Sequence, residues 1–307
     1  MKEVIRTEYL SKRYKDILAV ENINLQVKRG EICGFLGVNG AGKTTTIRLL
    51  LGMVKPTSGS VYLFNKELKQ LPTKKWNEVG YLVEDSYSYP QLTVKENLEI
   101  IYKLRKLNNP SVINEIISKL KLDKYKDVKV KNLSSGNMQR LGLAKAFIHK
   151  PKILLLDEPT KGLDPAGIVE IRILLKELAE KYNTTIFISS HILSEIYKLV
   201  DRIIIINEGH ILRDVNKAKL DKLMQKKLII NTNDNLKAKK IMINEGYDIG
   251  QNEKNYLVIK DNTIINSPEQ IVKKLVSNNI FPNLINIEKE DLENYFLRLT
   301  KNSIKEQ

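Results

Sequence analysis

Residues 37–45 read GVNGAGKTT and fit the pattern G-x-x-x-x-G-K-[ST]. Such a loop has a definite chemistry. Gly37, Gly40 and Gly42 let backbone N–H groups turn inward onto phosphate oxygens, and the dipole of the following helix adds to the attraction. Lys43 reaches the β- and γ-phosphates, and Thr44 offers its hydroxyl to Mg²⁺. Asn39, Ala41 and Thr45 complete the expected nucleotide-binding set in the same loop. A second constellation, ILLLDE at 153–158, is an apolar strand that delivers Asp157 to the metal side and Glu158 just beyond it. A carboxylate at that strand end can align and deprotonate water.

The elements around these residues must form a strand, a loop and a helix in that order. The apolar run Ile32–Leu36, preceded by the turn Lys28-Arg29-Gly30, supplies the strand. Short strands before it and a hairpin-like TSGSVYLFNKEL at 57–68 make an antiparallel β portion. After Val79–Val83 and Glu84 comes a Tyr/Ser/Pro loop, and the pattern from about 85 to 150 is helical. Thr93 and Glu96 stand at capping-box spacing within it. ILLLD, a helix capped by Asp164 with Pro165 at its first position, and TTIFISS then alternate as a mostly parallel, covered sheet does. DRIIIINEGHILRD closes this part as a hairpin turning at Asn207, Glu208 and Gly209.

Beyond about Val215 the chain becomes rich in Lys and Asn and reads βαββαβ plus a terminal helix. The expected architecture is therefore α/β. A P-loop ATPase domain over 1–215 combines a mostly parallel sheet, an antiparallel β subdomain and a helical insertion at about 85–150. A small α+β ferredoxin-like domain over 216–307 follows it.

Four ordered motifs carry a family resemblance over roughly residues 1–215. Between the two nucleotide motifs stands LSSGN at 133–137, followed by MQRLGLAKAF; GLDP occupies 162–165, and His191 follows TTIFISS. With the phosphate loop and ILLLDE, this order resembles the ABC ATPase family. The resemblance implies an ATP-hydrolysing subunit working as a head-to-tail dimer with a second copy of itself, using ATP and Mg²⁺, beneath a separate transmembrane permease. It implies that Tyr14 stacks on adenine and that Ser134, Ser135 and Gly136 of the signature, with Asp164 of the D-loop, serve the nucleotide held by the other protomer. It also implies that Lys43, Glu158 and His191 act on the γ-phosphate, and that Thr44, Asp157 and Glu84 surround the metal.

Departures from the family pattern are informative. Ser135 and Asn137 stand where Gly and Gln are usual, and Glu84 stands where most members have Gln, which adds charge and a titratable group. Glu84, the stretch GLDPAGIVEIR with Gly167 and Arg172, and the tail DLENYFLRLT are similar to the bacitracin-resistance and lantibiotic-immunity branch of exporters. Importer ATPases and soluble ABC proteins acting on nucleic acid or ribosomes are the alternatives. Importers commonly carry a different, β-rich tail, and the soluble proteins carry paired cassettes, long coiled coils or zinc cysteines.

Composition bounds the remaining classes. The longest apolar stretches, Ile153–Leu156 and Ile203–Ile206, fall far short of the roughly 20 residues that span a bilayer. The N-terminal MKEVIRTEYL lacks an apolar signal core, and the single cysteine, Cys33, has no internal partner. A location at the cytoplasmic face of the membrane is the expectation. The formal charge of +15 is spread along the chain without aromatic interleaving, so no nucleic-acid partner is expected.

Overall fold

A computed structural model describes residues 2–84 and 87–305. The loop positions Asp85 and Ser86 in the Tyr/Ser/Pro segment lie outside the described residues. The chain divides into two compact units, the first ending at Lys217 and the second starting at Ala218.

The first unit opens with β1 (Glu3–Tyr14), β2 (Ile17–Ile23) and β3 (Gln26–Lys28), followed by β4 (Ile32–Leu36), the phosphate loop and α1 (Lys43–Leu50). β5 (Ser58–Leu63) and β6 (Lys66–Glu67) form the expected hairpin, and β5 returns to pair with β1. After β7 (Val79–Leu82) come three helices, α2 (Val94–Leu104), α3 (Ser111–Lys119) and α4 (Ser135–Phe147). β8 (Ile153–Asp157), α5 (Pro165–Tyr182), β9 (Thr185–Ser190), α6 (Leu193–Tyr197), β10 (Arg202–Asn207) and β11 (His210–Asn216) complete it.

The main sheet has the order β11-β10-β4-β9-β8-β7, parallel throughout except for the β10–β11 hairpin. Every residue of β4, β8 and β9 is buried. Strands covered on both faces read as continuous apolar runs for that reason. Phe35 of β4 and Phe187 of β9 pack ring against ring at 5.1 Å at the centre of this layer. β1 is longer than the short alternating strands expected from the sequence. It holds its length by bulging between Leu10 and Lys12, which lets one strand pair with β2, β3 and β5.

The helices begin where their caps require. Thr93 Oγ1 accepts from the Glu96 N–H while the Glu96 carboxylate accepts from the Thr93 N–H, a complete capping box for α2. Asp164 accepts from the Gly167 N–H at 3.0 Å, with Pro165 in the first turn of α5. That helix ends at Asn183 in a left-handed conformation (φ 53°).

The second unit contains α7 (Lys217–Leu223, which begins one residue before it), β12 (Lys226–Thr232), α8 (Asn235–Asn244), β13 (Ile249–Gln251) and β14 (Leu257–Ile259). α9 (Asn262–Asn266), α10 (Pro268–Ser277), β15 (Pro282–Lys289) and α11 (Leu292–Lys305) follow. Its antiparallel sheet runs β13-β14-β12-β15, the interleaved order in which two βαβ crossovers share one ferredoxin-like sheet. Leu228, Ile230, Leu257 and Ile259 meet Met242, Ile271 and Leu275 in a core of its own. Three details depart from the sequence reading. α7 precedes the first strand, α9 intervenes before α10, and β13 starts at Ile249 rather than at Tyr247, which packs at the margin of the core. Among the described residues no helix is long and apolar enough to cross a membrane.

Candidate nucleotide site

The phosphate loop links the buried end of β4 to α1. Gly42 closes it at φ 105°, and a Cβ there would meet the Ala19 carbonyl oxygen at 2.5 Å, so only glycine fits both the dihedral and the space. Lys43 is buried, with its ammonium folded back to donate to the carbonyls of Gly37 at 2.8 Å and Val38 at 3.1 Å. Val38, Asn39 and Gly40 are exposed around this loop, whereas Ala41 is buried beneath it and Thr45 is half-buried on α1.

β8 brings the carboxylates. Thr44 Oγ1 donates to Asp157 Oδ2 at 2.7 Å, and Ser189 Oγ donates to Asp157 Oδ1. Ser189 is there because β8 and β9 pair in parallel register with Asp157 opposite Ser189. Glu158, the next residue, adopts a left-handed backbone (φ 47°), an uncommon state for a residue with a side chain and one that recurs at functional sites. Its N–H is held by Ser189 and its carbonyl accepts from Gln139 Nε2 at 3.0 Å. Its carboxylate has Oε1 3.7 Å from Lys43 Nζ and Oε2 2.8 Å from His191 Nδ1.

Lys43, Thr44, Asp157, Glu158 and His191 thus form one connected cluster built from β4–α1, β8 and β9. Ser189 and Gln139, which the sequence reading passed over, complete it. The end of a buried strand is the only sequence signal for Ser189; its role follows from register.

Glu84 lies two residues past Leu82, and Glu158 two past Leu156, the residue paired with Leu82. The two acids therefore leave neighbouring strands at the same level, and Glu84 is also left-handed (φ 55°). Its carboxylate lies 2.6 Å from Arg48 of α1, and that hydrogen bond raises the guanidinium above its ordinary range. Both side chains line a cleft of about 470 Å³ with Tyr81, Arg105, Lys145 and His149. Burial, with Arg105 close by, lowers His149 to about 4, and its Nδ1 is buried without a partner among the described residues.

The signature begins α4. Ser134 caps it by accepting from the Asn137 N–H at 3.3 Å, and Ser134 and Ser135 are exposed. Gly136 permits a close approach, since a Cβ there would lie 2.9 Å from the Gly162 carbonyl oxygen. The structure therefore packs the signature on the turn that leads to exposed Asp164. Tyr14 ends β1, 39% exposed, with the Lys12 ammonium 4.9 Å from its ring centroid.

Among the described residues no group of three or more His, Cys, Asp or Glu side chains is placed to hold a metal ion. The hard oxygen donors Thr44 and Asp157, drawn together at 2.7 Å, do suit Mg²⁺, which takes one or two protein oxygens and fills its shell with phosphate and water.

Comparison with known proteins agrees with this geometry. The family model described as ABC transporter matches residues 20–161. The chain is 40% identical to the bacitracin transport ATP-binding protein BcrA of Bacillus licheniformis over 304 residues, 97% of this chain and 98% of that one. A protein of the same name from Enterococcus faecalis is 38% identical over 97% of both chains. A dimeric ATP-binding cassette solved in a post-hydrolysis state with ADP and Pi is 28% identical, with a TM-score of 0.65 over 69% of this chain and 98% of that chain. Similarity that extends through both units, over a phosphate loop and acid cluster of this form, shows that the chain belongs to the ABC transporter family as an ATP-hydrolysing, ATP-binding subunit.

Proposed function

We propose that this subunit powers the export of a membrane-active peptide antibiotic of the bacitracin kind, through a separate membrane-spanning partner. The observation that carries the reading is similarity along the full chain, tail included, to two bacitracin transport ATP-binding proteins. An importer or a ribosome-directed protein would account for the cassette but not for the tail.

In this reading the phosphate loop cradles ATP, and Lys43 turns from the Gly37 and Val38 carbonyls to the β- and γ-phosphates. Thr44 and Asp157 hold Mg²⁺, which when bound draws negative charge off the phosphate oxygens. Glu158 orients the attacking water and accepts its proton, while His191, positioned by Glu158, faces the γ-phosphate. Tyr14 offers a ring face to adenine. The exposed Ser134, Ser135 and Asp164, with half-buried Gly136, complete the site of a second copy, so two nucleotides sit between two antiparallel chains. A solved relative that is itself a dimer with ADP and Pi supports that arrangement. Glu84 lies at the level of Glu158 and also lines the cleft beside α2 and α4, so it is placed to link the state of the nucleotide to a docked partner. The subunit then works at the cytoplasmic face of the membrane, held there by the partner.

The test is protection. Susceptible cells expressing the subunit with its partner should tolerate bacitracin, and Glu158→Gln should abolish that tolerance while the protein is still made. Full protection by a subunit that turns over no ATP would overturn the reading.

A further inference from the structure

β15 is an edge strand whose far side has no strand neighbour among the described residues. Edges of this kind are ordinarily blunted by charge, proline or a bulge. This one keeps such devices only at its ends, with Pro282 and the register shift against β12 at its start and Glu288 and Lys289 at its finish, while Leu284 to Ile287 carries no charge and no proline. Its two charges are neutralised within the chain, Glu288 by Lys227 at 3.0 Å and Lys289 by Asp221. Ile285 and Ile287 lie opposite Ile230 and Leu228, so they extend the apolar core face of the sheet, yet they are 44% and 45% exposed.

We infer that β15 pairs antiparallel with β15 of a second copy, joining the two C-terminal sheets edge to edge. Residues directly opposite one another must share a face, which restricts the two-fold registers. A two-fold axis through Asn286 sets Ile285 opposite the partner's Ile287, Asn283 opposite the partner's Lys289, and Leu284 opposite the partner's Glu288. Asn286 meets its own copy on the axis, apolar meets apolar on either side of it, and no like charges oppose each other, as an isologous contact requires. The seven residues from Asn283 to Lys289 span about 20 Å of strand. That is far less than the roughly 800 Å² per partner of a standard stable interface. The contact therefore rests on the nucleotide-driven dimer proposed above, which supplies the effective concentration that a weak edge needs.

The full-length chain carrying Glu158→Gln and Asn286→Cys tests this with Mg²⁺ and ATP, sized first and then oxidised with copper(II) phenanthroline. Two copper(II) complexes each take one electron from the pair of thiols and become copper(I), and two protons leave to solvent as the disulfide forms. Opposed β residues lie within disulfide reach, and Cys33 is buried and left in place. Dimer should cross-link about tenfold or more faster than a Leu236→Cys control, whose site on α8 is 71% exposed. Adding Ile285→Lys with Ile287→Lys should remove that advantage and leave ATP binding intact. A sample that sizes as a dimer but cross-links equally at both cysteines, or that ignores the lysines, overturns the inference alone. A sample that stays monomeric with ATP removes the nucleotide-driven dimer and this contact together.

Discussion

Glu158 Oε2 lies 2.8 Å from His191 Nδ1, and the other oxygen of the same carboxylate lies 3.7 Å from Lys43 Nζ. Three segments far apart in sequence meet on one side chain, and a left-handed backbone at Glu158 aims it there. Removing the charge of Glu158 while keeping its shape therefore separates binding from chemistry. Glu158→Gln should retain ATP affinity and lose about a hundredfold or more in turnover, the usual scale of a general base. With Mg²⁺ and ATP it should elute as a dimer in a sizing experiment. Turnover at the parent rate would show that Glu158 is not the base. Lys43→Ala should lose nucleotide binding itself and remain monomeric.

Ser189 gives a sharper test of the metal assignment, because its hydroxyl touches Asp157 and the Glu158 N–H but lies behind both. Ser189→Ala should raise the Mg²⁺ concentration for half-maximal ATPase activity by about 10–100-fold, as loss of a group supporting a metal ligand does. Unchanged Mg²⁺ dependence would mean that Asp157 is held well enough by Thr44 alone, or does not face the metal.

The phosphate loop, ILLLDE and the βαββαβ tail were legible because each is a local pattern. The loop declares its own backbone requirements, and buried parallel strands announce themselves as apolar runs. Ser189 was not legible because its contact depends on the register of β8 against β9. The Arg48–Glu84 pair was not legible because it joins a helix to a strand end at no fixed spacing. α9 is five residues long, too short to show a helical period beside the longer α10.

His149 has an acid-side signature. The unfolded chain takes up a proton on this imidazole near pH 6.5, whereas the folded chain refuses it until about pH 4 because the ring is buried beside Arg105. The folded state binds fewer protons between those values, so stability falls as pH drops from about 6.5 and levels off below about 4. The loss between pH 7 and pH 5 should be about 2 kcal/mol from this group. His149→Gln, which keeps a donor for the Val79 carbonyl, should flatten that part of the profile in denaturant melts. An unchanged slope would place the acid sensitivity elsewhere.

Ending the chain after Lys217 should leave a folded, ATP-binding unit, since every proposed nucleotide contact and the core around β4 precede that point. With Glu158→Gln added, this shortened chain should need more protein to dimerise than the full-length form, if β15 contributes a contact of its own. Loss of ATP binding in a folded truncation would show that the second unit is needed for the site.

Glu84→Gln separates a structural ion pair from a signalling one. Arg48 and Glu84 are 35% and 48% exposed, and a pair so wetted contributes under about 1 kcal/mol to stability, so the melting temperature should hardly change. The exchange is nearly isosteric and the phosphate loop is untouched, so ATP binding should persist. What changes is charge. Arg48 then faces a neutral amide, and the carboxylate that lies level with Glu158 and lines the cleft is gone. If that carboxylate links the nucleotide to the partner, ATPase activity in the complex and protection of cells should shift relative to each other, while activity of the isolated subunit stays near the parent value. Arg48→Gln, which removes the opposite charge, should disturb the same ratio, because the pair holds Glu84 in place. Protection and ATPase activity both unchanged in the two variants would make Glu84 a bystander at the mouth of the cleft.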